Sequence, residues 1–114
     1  MNKQEIEVFN TAKEYIERLI VGINETVEFI QSGNDKKGIE MIPLIGEGIE
    51  YIINVISLLK IELNGEETIE NLNTQLEEII DGIENGDYVL IADIFKYEIV
   101  PIMEQLKIIF EQIS

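Results

Sequence analysis

At 114 residues the chain is long enough for one hydrophobic core, and it reads as a single domain over residues 1–114. Neither cysteine nor histidine occurs, which excludes disulfides, thiol chemistry, the usual zinc ligand sets and imidazole acid–base catalysis. A formal net charge of −15 opposes binding to phosphate backbones and favours a cationic partner.

Asn2 with Glu5 makes a capping-box start. From there Phe9, Ala12, Ile16, Leu19, Ile23, Thr26 and Ile30 keep a 3,4,3,4 spacing, which predicts one buried seam on a helix over residues 3–31. Ser32-Gly33-Asn34-Asp35 stops it, with Gly33 suited to the left-handed position and Asn34 or Asp35 to the next cap. The second helix is expected over 35–63. Its seam is Ile42, Ile45, Ile49, Ile52, Ile56, Leu59 and Leu63, and a second stripe runs through Met41, Leu44, Gly48, Tyr51, Val55 and Leu58. Pro43 removes one backbone hydrogen bond, so the helix either kinks there or breaks in two. Met41–Leu59 carries Glu47 and Glu50 and reads as a core helix, not a membrane span.

Asn64-Gly65 is expected to end the second helix, because both flanks keep a helical period and not a hairpin's alternation. A third helix over 66–84 has Ile69, Leu72, Leu76, Ile79 and Ile83 as its seam and an acidic remainder. Residues 64–87 hold eight acids and no base. Asn85-Gly86-Asp87 repeats the stop-and-cap device, and a fourth helix follows to about Ile113. Its seam is Ala92, Phe95, Ile99, Ile102, Leu106, Ile109 and Ile113. Four helices and three short turns predict an all-α fold, an antiparallel up-down-up-down four-helix bundle whose second and fourth helices contain prolines. The glycines flanking the seams, Gly22, Gly46, Gly48 and Gly82, are expected to allow close helix approach.

Residues 86–101 are apolar on nearly every side, and such a helix must bury more than one face. Leu90, Ile94, Tyr97 and Pro101 recur at 4,3,4 opposite the core seam, and that line becomes polar at Glu104 and Glu111. This predicts a subunit or partner interface, joined by Leu44, Tyr51 or Leu58 of the second helix. The plainer alternative is a fourth helix packed centrally in an irregular bundle.

Other chemistry is poorly supported. The acids of the third helix read first as a solvated face, then as a docking surface for a basic partner, and last as a nucleic-acid mimic. Glu77, Asp81 and Glu84 together make at most a weak divalent-ion site, and the di-iron bundle pattern needs histidines that are absent. Carboxylate-pair hydrolysis requires a cleft that isoleucine seams leave little room for. Gly46-Glu47-Gly48 lies inside a helical period, without the strand and lysine of a phosphate loop. Asp93, Lys96 and Tyr97 form a small polar set within one turn, of the kind that stabilises a helix only slightly.

The segment Gly86-Asp87-Tyr88-Val89-Leu90, then Ala92-Asp93, Tyr97-Glu98 and Pro101, resembles a pattern in small, helical, uncharacterised proteins of low-GC bacteria. Related segments are also expected in some motility-associated bacterial proteins. Phe95-Lys96 departs from the leucine and acid of that pattern. The resemblance covers about one helix and implies a domain of unknown function without catalytic residues. The abundance of isoleucine and the scarcity of alanine and arginine resemble the coding bias of an AT-rich bacterial genome.

No basic segment followed by an apolar run opens the chain, so no signal peptide is expected and the protein reads as soluble and cytoplasmic. The function expected is a non-enzymatic interaction module that forms a homodimer or docks a helical protein partner. No catalytic, cofactor-binding or metal residues, no small-molecule substrate, no nucleic acid and no membrane are expected. A small export or motility chaperone that shields an amphipathic helix is the alternative. A carboxylate or metal-dependent enzyme ranks last.

Overall fold

The computed structural model describes residues 1–63 and 67–113, and every regular element in them is helical. Helix α1 is Lys3–Gln31, α2 is Asp35–Leu59 and α3 is Glu67–Glu84. The fourth helix has three segments: α4 is Tyr88–Ile94, a π turn covers Phe95–Ile99, and α5 is Val100–Ile113. The Asn64-Gly65 stop and Glu66, the expected first residue of the third helix, lie outside the described residues.

The helix ends follow local backbone chemistry. Asn2 Oδ1 accepts from the Glu5 N–H at 2.8 Å, and the Asn2 N–H donates to Glu5 Oε1 at 3.0 Å, a complete capping box. At the other end of α1, Gly33 takes φ 87°. Asn34 N–H then donates to Phe29 O at 2.8 Å and Gly33 N–H to Ile30 O at 3.2 Å, the paired closure of a left-handed helix stop. The same pair recurs after α3, where Gly86 takes φ 64° and Asp87 N–H reaches Gly82 O at 2.8 Å. Asp87 Oδ1 then caps α4 by accepting from Leu90 N–H at 3.1 Å. Asn34 precedes α2 without a side-chain cap.

Helix α2 stops earlier than its isoleucine period suggests. Lys60 takes φ 52°, and Ile61 N–H donates to Ile56 O at 3.0 Å, so a lysine occupies the place that glycine holds at the other two stops. Residues 60–63 therefore lie beyond the helix. Pro43 sits inside α2, which continues through it unbroken. By length and composition α2 is apolar enough to cross a membrane. Here Ile42, Ile45, Ile49, Ile52, Val55 and Ile56 belong to the core.

Helix α1 organises the packing. Its 29 residues reach ~43 Å at ~1.5 Å per residue, close to the 46 Å long axis of the molecule. All seven expected seam residues are buried, and Val27 joins them. Thr26 is the polar member, and its hydroxyl donates to Gly22 O at 2.9 Å. Against α2, Ile30 lies over Gly38, Leu19 over Gly48, and the Tyr15 ring meets Tyr51 edge-on at 5.2 Å. Against α5, Phe9 stacks on Phe110 at 5.3 Å and Glu17 pairs with Lys107 at 3.7 Å. Helix α3 packs mainly on α4, where Gly82 admits Ile91. Gly48 and Gly82 thus permit close approach as expected. An added Cβ at Gly22 or Gly46 would meet nothing within 4 Å, which removes that role from both.

The π turn resets the register of the fourth helix. Val100 N–H donates to Phe95 O, an i→i+5 bond, immediately before Pro101, which has no N–H and crowds the preceding turn. Beyond the wider turn the buried line keeps Leu106 but replaces Ile102 by Met103 and Ile109 by Phe110. Phe95 and Ile99 are followed in the core by Met103, Leu106 and Phe110, whereas Ile102 and Ile109 are half-buried and Ile113 is exposed.

Candidate interaction surface

Leu90, Tyr97 and Pro101 are exposed, as the outward stripe required. Ile94 is not: it is 3% exposed and belongs to the core. At its level the helix packs on both α1 and α3, so the buried arc widens to Ile91, Ala92, Ile94 and Phe95, with Ile91 seated over Gly82. The uncovered line runs instead through Val89, Asp93, Tyr97 and Pro101 at four-residue steps, then Glu104 and Ile108. Successive steps of four drift around a regular α-helix, and the wider turn at Phe95–Ile99 offsets part of that drift. Val89, Tyr97 and Ile108 are 73%, 65% and 53% exposed, so each presents most of an apolar side chain to solvent. Lys96 Nζ lies 5.3 Å from the Tyr97 ring centroid, a cation placed beside the stripe.

Near Ile108 the stripe meets α1. Ile20, Val21 and Ile108 line a hollow of about 540 Å³ together with Glu17, Glu104 and Glu111. Val21 is 56% exposed although it sits midway along the central helix. Lys107 also lines this hollow, drawn to Glu17 by their ion pair. A second hollow of about 400 Å³ follows along the same two helices, between Asn24, Val27, Glu28 and Gln31 of α1 and Lys96. Val89, Val21 and Ile108 were not among the expected site residues. Ile108 had a signal in the sequence, since it lies seven residues after Pro101 and so returns to the same side.

The α2 residues expected at the interface lie elsewhere. Leu44 and Leu58 are exposed, while Tyr51 is half-buried against Tyr15. Leu44 borders a hollow of about 260 Å³ with Tyr15, Arg18, Gly22 and Met41. Those α1 residues occupy the opposite flank from Glu17, Val21 and Asn24. Leu44 and Tyr97 therefore do not share one surface.

The acids of α3, Glu67, Glu70, Glu77, Glu78, Asp81 and Glu84, are all exposed. Among the described residues no three His, Cys, Asp or Glu side chains come together as a metal-holding group, so Glu77, Asp81 and Glu84 do not converge.

These observations define an all-α protein of four packed helices with an uncovered face that is apolar and acidic. Residues 7–109 match the family described as a domain of unknown function, DUF8042, and the chain belongs to that family. No curated protein and no solved structure matches it.

Proposed function

We propose that the chain is a non-catalytic interaction module that docks a helical partner, or a second copy of itself, along the outward face of its fourth helix. One observation carries this reading: Val89, Tyr97 and Ile108 are each more than half exposed along a single helix face. Scattered exposed apolar residues are ordinary, but an aligned row is the usual mark of an interaction surface. The pairings of Ile30 with Gly38 and Tyr15 with Tyr51, and of Phe9 with Phe110, support an antiparallel up-down-up-down arrangement. In such a bundle the outward side of the fourth helix is left to a further helix. The proposal includes a cytoplasmic, bacterial setting, supported by the cysteine-free, isoleucine-rich composition.

Tyr97→Glu is the test. Light scattering and circular dichroism are measured on wild type and variant, and the partner complex is reconstituted from purified components once a partner is identified. The variant should keep its fold and lose either the dimer or the complex. A folded variant with unchanged mass and unchanged partner affinity removes the fourth helix from the interface.

A further inference from the structure

We infer that the furrow between α1 and the fourth helix receives a cationic amphipathic helix from a different protein, not a second copy of this chain. The inference rests on the docking role proposed above and names the partner's chemistry. The furrow is lined by apolar Ile20, Val21 and Ile108 and by the carboxylates of Glu17, Glu104 and Glu111. Of its cations, Lys107 lies 3.7 Å from Glu17, and Lys96 borders the second hollow opposite Glu28 and Gln31 of α1. An incoming helix with leucine-like residues at i, i+3 and i+7 would seat them over Val21 and Ile108 and bring flanking lysines or arginines to the glutamates. Two helices already form the walls, so a third packs by the same ridge-and-groove geometry.

Length and charge select the occupant. From Glu17 to Gln31 the two hollows follow α1 for ~21 Å, or about four helical turns. A second copy would bring another −15 charges against this one, with acids on the facing rims. A basic helix replaces that repulsion with attraction, and its binding is sensitive to salt.

The experiment titrates the full chain with two synthetic helical peptides of ~18 residues, long enough for the furrow at ~1.5 Å per residue. One carries leucine on one face and lysine on the other, and its twin has every lysine replaced by glutamate. Calorimetry is run at about 0.01 and 0.15 M salt, between which the Debye length falls from ~30 to ~8 Å. The lysine peptide should bind, more weakly at the higher salt, and the glutamate twin should not. The double variant Val21→Asn with Ile108→Asn should weaken binding about tenfold or more, as expected for central apolar anchors. Ile80→Asn, an exposed residue of α3, should leave it unchanged.

Equal binding by all three proteins reduces the effect to non-specific charge and overturns the inference. Binding of the glutamate twin, or of neither peptide, overturns it too. A wild-type dimer that Ile108→Asn dissociates overturns the choice of occupant and leaves the docking role standing. The docking role itself fails if neither Ile108→Asn nor Tyr97→Glu changes the mass of the wild type or its affinity for either peptide. All variants alter exposed side chains, and circular dichroism confirms that each is folded.

Discussion

The three helix stops provide an internal experiment on backbone strain. Gly33 and Gly86 take φ 87° and 64°, and Lys60 takes φ 52° in the same hydrogen-bonding motif. A side chain in the left-handed region costs about 1–2 kcal/mol, a cost that glycine avoids. Glycine also loosens the unfolded chain, which returns about 0.4–1 kcal/mol to the other side. Lys60→Gly should therefore stabilise the fold by roughly 0.5–1 kcal/mol, or raise Tm by about 2–4 °C for a domain of this size. Lys60→Ala keeps the left-handed strain and should stay within about 0.5 kcal/mol of wild type. Gly86→Ala reverses the experiment. A Cβ at Gly86 meets nothing within 4 Å, so its expected cost of about 1 kcal/mol is conformational and not steric. Urea unfolding followed by far-ultraviolet circular dichroism, with slopes compared to confirm two-state behaviour, measures all three. If Lys60→Gly is no more stable than Lys60→Ala, Lys60 carries no strain and the left-handed stop of α2 is refuted.

Other substitutions test packing and charge. A Cβ at Gly38 would lie 2.6 Å from Ile30 Cγ1, and one at Gly82 would lie 2.8 Å from Ile91 Cγ1, so alanine at either should destabilise, by about 1–3 kcal/mol as overpacking does. Alanine at Gly46 has open space and should stabilise by up to about 1 kcal/mol through helix propensity, read from the same urea curves. Met103 is fully buried and Ile102 only partly, so Met103→Ala should cost about 2–5 kcal/mol and Ile102→Ala clearly less; the reverse order would contradict the π-turn register. Added sodium chloride should raise Tm on the order of a few °C, because screening relieves the self-repulsion of a chain with charge −15; a flat Tm would show that repulsion is not limiting.

What could be read from the sequence was what local rules decide. The Asn2–Glu5 box, the Gly33 and Gly86 stops and the Asp87 cap each involve residues within a few positions of one another. The α1 seam was legible because nothing interrupts its period. Helix α2 ran past its true end on paper because lysine carries no left-handed signature, while the more conspicuous Asn64-Gly65 pair lies four residues further on. In the fourth helix a regular period was extended through a turn that is not regular. Pro101 marked the place, but proline alone does not reveal that the distortion is a wide turn, so Ile102 and Ile109 displaced Met103 and Phe110 in the expected core. Ile94 was misplaced for a different reason. Its burial depends on the fourth helix packing between α1 and α3 at that level, a tertiary fact without a local signal. The uncovered face was therefore located on the right helix, while Val21, on a helix far away in sequence, was missed.

The furrow's two walls come from opposite ends of the described chain, with Phe9 against Phe110 and Glu17 against Lys107. Helix α1 can pair with α2 as soon as the Gly33 turn forms, but its contact with α5 closes a loop of about a hundred residues. A chain emerging from the ribosome therefore has no furrow until its fourth helix is made. A ligand seated there engages only molecules in which α1 and α5 have met, and by mass action it resists their separation. Occupancy of the furrow would thus report that α1 and α5 have closed on each other.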